Sequence, residues 1–146
     1  MAIYINPDDI NWKEVQEMHE NAQLWLNELR FIAYEHHFME ELLSGFFLKL
    51  SSKEHFSDAS QLVKNLSDNK YANTSIFEKV QSHNNELYIL MDDKHQPYEE
   101  KEIKAQHKSL KEEIEKHFHS FKETKSRLFD IVSKIMKEAK QKFLLE

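Results

Sequence analysis

The chain has 146 residues with 20 basic and 26 acidic side chains, a net charge of −6, one glycine, two prolines and no cysteine. That length sets a single domain, residues 1–146, with a buried core, and the missing cysteines exclude a disulfide framework and thiolate metal sites. With so few breakers, and with charged residues at 32 % drawn mostly from the helix formers Glu and Lys, the class is all-α.

The charge is unevenly placed. Residues 1–51 carry 3 basic and 9 acidic side chains, residues 52–96 carry 5 and 7, and residues 97–146 carry 12 and 10. In the last third lysines alternate with glutamates, so no single-sign face for phosphate forms and nucleic acid is not an expected partner. No apolar run reaches membrane-spanning length, and residues 1–9 lack the basic-then-apolar signature of a secretory signal. A cytoplasmic protein with no membrane partner is expected.

In chain order, Asn6, Pro7, Asp8 and Asp9 read as a helix start, with Asn as N-cap, Pro at the first helical position and acids facing the positive dipole end. The first helix then runs to about Leu50 on an a/d seam at a mean spacing of 3.5: Val15, Met18, Ala22, Trp25, Leu29, Ile32, His36, Met39, Leu43, Phe46 and Leu50. Only His36 interrupts its apolar character. A second stripe, Leu24, Phe31 and Phe38 at seven-residue spacing with Gly45 next, lies well away from that seam. Either the buried face is wide, or this helix also touches a second copy of the chain, since large aromatics in so strict a series are rarely left in water. The latter makes Leu24, Phe31, Phe38, Phe47 and Leu48 candidate interface residues. Gly45 is read as a point of close helix approach, because apolar residues continue beyond it.

Ser51 followed by Glu54 matches a capping box and starts a second helix over residues 52–94. Its seam reads Phe56, Ala59, Val63, Leu66, weakens through Lys70 and Asn73, and returns as Phe77, Val80, Leu87 and Met91. Residues 67–75 are polar, but the heptad phase agrees on both sides, so the helix is expected to be continuous. Residues 92–97 form the next turn, with Pro97 opening a third helix whose seam is Ile103, His107, Leu110, Ile114, His117, Phe121, Leu128, Ile131 or Val132, Ile135 and Ala139. Residues 143–145 are expected to fold over the apolar end at 46–48. Short connections then give an elongated antiparallel three-helix bundle, up-down-up with coiled-coil-like packing, or a four-helix bundle if the second helix breaks near residues 68–74.

The nine histidines are the feature that points to chemistry. Folding the bundle at its two turns brings His19, His83 and His107 to one level, three imidazoles from three helices, the donor set a divalent transition metal such as zinc takes. The plainer reading is three unrelated, half-exposed histidines. Six histidine–carboxylate pairs lie four apart: His36 with Glu40, His37 with Glu41, His95 with Glu99, Glu113 with His117, Glu115 with His119, and His119 with Glu123. About three such pairs arise by chance, an excess too small to carry a claim. No Glu-x-x-His occurs, so the ferritin-like di-iron pattern is missing. His36 and His117 sit on the seam as hydrogen-bonded core residues, where protonation would place a charge in an apolar layer. There is no nucleophile–base arrangement and no glycine-rich phosphate cradle. The first functional expectation is therefore a non-catalytic interaction or scaffold protein that self-associates, as a homodimer, through its first helix and can take a protein partner. The alternative is a metal-binding bundle using the histidine layer.

Overall fold

The computed structural model describes residues 12–92 and 97–145. Its elements are α1 (Trp12–Gly45), α2 (Phe47–Leu50), α3 (Phe56–Asp92) and α4 (Pro97–Leu145). The all-α expectation holds, and among the described residues there is no strand. The proposed N-cap at Asn6 and the turn at residues 93–96 lie outside the described residues, whereas Pro97 is the first residue of α4 as expected.

The helix boundaries near the first corner differ from expectation. The first helix stops at Gly45 rather than Leu50. Phe46 turns away with φ −106° and ψ 12°, and its N–H is shared between the carbonyls of Leu42 and Leu43 at 3.2 Å each, a three-centre bond of the kind that closes helix ends. Nor is Gly45 a close approach: a methyl group there would meet nothing within 4 Å. The capping box does not form either. Residues 51–55 make a turn in which His55 N–H donates to Ser52 O at 3.1 Å, and α3 starts only at Phe56, its first turn closed by Ala59 N–H on His55 O at 2.9 Å. Further along, α3 is one helix of 37 residues straight through the polar segment 67–75.

Two compact bodies share these helices, one made of Met1–Arg30 with Thr74–Lys116 and the other of Phe31–Asn73 with His117–Glu146. In the first body the core is Val15, Met18, Ala22, Leu26 and Leu29 of α1, Ile76, Val80, His83, Leu87 and Leu90 of α3, and Ile103, His107, Leu110 and Ile114 of α4. Lys79 on Glu113 at 2.9 Å and His83 on His107 at 2.8 Å fix α3 and α4 antiparallel there. In the second body Ile32, Met39 and Leu50 meet Ala59, Leu62, Leu66, Phe121, Leu128, Val132 and Ile135, with Leu42, Leu43, Phe46 and Phe118 packed at the margin.

The α4 seam is buried from Ile103 to Ile135 as expected, with Thr124 added. The α1 seam holds too, except that Leu26 rather than Trp25 takes the fully buried place. On α3 one of the two seam positions moves by a residue. Leu62 replaces Val63 and Ile76 replaces Phe77, while Phe56 (62 %) and Val63 (54 %) face solvent. The buried period 59, 62, 66, 69, 73, 76, 80, 83, 87, 90 includes Asn69, Asn73 and His83. These polar residues are buried because α4 offers them partners, described next.

Candidate functional site

In the first body the structure brings two of the three expected metal ligands together. His83 and His107 are buried, with His83 Nε2 2.8 Å from His107 Nδ1 and ring centroids 5.0 Å apart. Trp25 stacks on His107 with ring centroids 4.7 Å apart. His19, half-buried, lies against Tyr88 with ring centroids 6.3 Å apart. Its Nδ1, like His83 Nδ1 and His107 Nε2, is buried without a protein hydrogen-bond partner. Burial pushes His83 below the ordinary imidazole range, opposed by the nearby Gln106 side chain, which favours the protonated ring. Burial first, then the charges of His83 and Lys111, pushes His107 down to about 4. Both rings are therefore neutral at pH 7, and one donates while the other accepts.

In the second body the seam histidines each find a defined partner. His36 Nε2–H donates to Leu66 O at 2.7 Å and its Nδ1 faces Glu40 at 3.2 Å, so both ring nitrogens meet polar groups and not an apolar layer. Lys70, 2.9 Å from Glu40, donates a hydrogen bond that holds that carboxyl below its usual range. His117 Nε2–H donates to Asn73 Oδ1 at 2.8 Å. One turn along, Asn69 donates to Thr124 Oγ1 at 2.7 Å and accepts from Ser120 at 3.1 Å, while Thr124 also donates to Ser120 O. This chain of buried polar contacts joins α3 to α4. It makes the polar segment of α3 a part of the core, since buried polar groups persist only when satisfied.

Of the six histidine–carboxylate spacings, His36 with Glu40, His37 with Glu41 and His119 with Glu123 form contacts of 3.1–3.2 Å. Glu113 goes instead to Lys79. His95 with Glu99 lies outside the residues whose side chains are described. A contact that the sequence did not signal joins the first corner to the last helix: buried His55 donates from Nε2 to Glu138 Oε2 at 3.0 Å, 83 residues away. Glu54, His55 and Glu138 are, among the described residues, the trio of potential metal-ligand groups whose donor atoms lie within 4.8 Å of one another. A shallow groove of about 350 Å³ runs beside His55, lined also by Asp58, Arg127, Asp130 and Lys134.

The candidate interface residues are all at the surface. Leu24 of the first body is 58 % exposed, and in the second body Phe31, Phe38, Phe47 and Leu48 are 63, 54, 65 and 86 % exposed. Phe38 stands two residues past the buried His36, about 160° round the helix from it. The aromatic stripe thus lies on the side opposite the core. The expected cover for residues 46–48 is not there. Residues 143–145 stay helical and exposed, because the last helix runs straight on instead of folding back.

A second stripe was missed in the sequence although its signal is the same seven-residue interval. Phe129, Met136 and Phe143 of α4 are 41, 58 and 77 % exposed. Lys125 bonds to Glu35. Residues three and four apart are neighbours on a helix surface, so Glu35 lies between Phe31 and Phe38 on α1 and Lys125 lies one turn before Phe129 on α4.

Among the described residues no helix is long and apolar enough to cross a membrane. Compared with known protein families, with curated proteins and with solved structures, the chain gives no match.

Proposed function

We propose that the chain is a non-catalytic scaffold or interaction protein, an antiparallel three-helix bundle that self-associates through α1. The observation that carries this reading is the exposure of Leu24, Phe31 and Phe38 at strict heptad spacing. Burying a side chain of this size is worth about 1.5–3 kcal/mol, and a helix whose core face is already filled gains that only from another chain. The three long helices of 34, 37 and 49 residues and the unbroken α3 support the three-helix arrangement. Light scattering behind size exclusion tests the reading. A dimer mass is expected for the wild type, and Phe31→Glu is expected to lower it. An unchanged mass in that variant counts against α1 as the interface.

The second reading is a divalent metal, such as zinc, held by His19, His83 and His107. Its support is the convergence of two of the three rings and their partnerless nitrogens. Against it, two nitrogens sharing a tetrahedral zinc stand roughly 3.3 Å apart at ordinary Zn–N lengths, whereas 2.8 Å is a hydrogen-bond length. We therefore take the two rings as a neutral hydrogen-bonded core pair. Elemental analysis of untagged protein discriminates the readings: stoichiometric zinc, with a raised melting temperature on adding zinc, would favour the metal.

A further inference from the structure

The acids that reach from one helix to another mostly meet lysines: Glu14 with Lys104, Glu35 with Lys125, Glu40 with Lys70 and Glu113 with Lys79. Glu54 and Glu138 differ. Among the described residues neither pairs with a lysine or arginine. Instead one oxygen of each gathers with a ring nitrogen of His55, all three atoms within 4.8 Å of one another. The imidazole is held from both sides by the backbone of the first corner. His55 N–H donates to Ser52 O at 3.1 Å and His55 O accepts from Ala59 N–H at 2.9 Å, which leaves the side chain only 9 % exposed. Glu54 and Glu138 are exposed and free to rotate about that fixed ring.

From this arrangement we propose that Glu54, His55 and Glu138 bind a divalent first-row transition ion in six-coordinate geometry, with water completing the set. The donor types choose the class of ion. An imidazole nitrogen disfavours magnesium and calcium, which take oxygen ligands, and two carboxylates match a double positive charge. The spacing chooses the geometry. Neighbouring ligands of an octahedron, at right angles on bonds of about 2.1 Å, stand about 3.0 Å apart, and His55 Nε2 is 3.0 Å from Glu138 Oε2. With the ion on Nε2, the neutral ring carries its proton on Nδ1. The groove of about 350 Å³ beside His55 gives the waters room. Its other charged residues, Asp58 and Asp130 against Arg127 and Lys134, balance, so the two glutamates stand as excess negative charge. The site lies in the second body, apart from His83 and His107 in the first.

Nickel chloride titrated calorimetrically into the full, untagged chain tests this. One ion per chain is expected to bind in the micromolar range, and excess magnesium is expected not to displace it. Glu138→Gln keeps an oxygen to accept from His55, and Glu54→Gln alters an exposed side chain. Circular dichroism of both variants without metal is therefore expected to match the wild type. Each is expected to weaken nickel binding roughly tenfold or more, whereas His107→Leu is expected to leave it unchanged. Unaltered affinity in either glutamine variant overturns the proposal and points to exposed pairs such as His37 with Glu41 or His119 with Glu123. Loss of binding in His107→Leu alone assigns the ion to the first body and overturns it too, as does a wild type that takes up no nickel or gives it up to magnesium.

Discussion

His83 Nε2 and His107 Nδ1 stand 2.8 Å apart in the buried core of the first body, so one ring must donate and the other accept. If both are protonated, two N–H groups point at each other. The ordinary imidazole value is 6.5, and His107 is pushed down to about 4 by burial and by the charges of His83 and Lys111. Between those values the unfolded chain binds more protons than the folded one. Stability contributed by the pair is therefore whole above about 6.5 and lost as pH falls toward 4, by on the order of 2–3 kcal/mol. Glu40, held down by Lys70, begins to contribute acid sensitivity only below its ordinary 4.5, so it does not act in the window of the histidine pair. Urea midpoints are expected to fall between about pH 7.5 and 4.5, with a shallower slope in His107→Leu. Equal midpoints at both pH values would contradict the paired geometry.

The buried contact of Asn69 with Thr124 sets up a double-mutant cycle. Thr124→Val leaves the Asn69 amide without its acceptor inside the core and is expected to cost about 1–3 kcal/mol. Combining it with Asn69→Leu removes the stranded group as well, so the double variant should lose less than the sum of the singles. Strict additivity in chemical denaturation would show that the two side chains do not interact.

Gly45→Ala is expected to stabilise. Open space surrounds the site, its backbone angle is not positive, and it is the last residue of α1. Replacing glycine at such a position restricts the unfolded chain and adds about 0.5–1 kcal/mol. A lowered melting temperature would mean that something approaches Gly45 closely after all, and a partner helix would be the first suspect.

His55→Ala removes the imidazole that ties the first corner to Glu138 on α4. The expected loss is about 1–3 kcal/mol, together with faster amide exchange in α4 beyond residue 135. Unchanged exchange there would reduce the contact to a passive surface pairing.

How far the sequence could be read depends on which residue types occupy the core. On α4, Thr124 apart, and on most of α1 the buried seam is apolar or histidine, and its period appears directly in the sequence. On α3 the true seam passes through Asn69, Asn73 and His83, which look like surface residues until Thr124, Ser120 and His117 are placed opposite them. Large residues at 56, 63 and 77 then draw the register one residue away. Spacing also placed His83 and His107 at one level, but whether His19 completes the set depends on helix rotation, which a list of residues does not carry. The second stripe at 129, 136 and 143 was legible by the interval that revealed the first. Mixed with lysines near a helix end, it resembled ordinary dipole-matching surface. The contact of His55 with Glu138 spans 83 residues, and no local signal announces it.

The account turns on whether the exposed face of α1 joins two copies. Sedimentation equilibrium of the full chain across the micromolar range measures this most directly. A mass of about 35 kDa, twice the 17.6 kDa of one chain, falling to the single-chain mass in Phe31→Glu, is the predicted result. A wild type that holds 17.6 kDa throughout that range would contradict it.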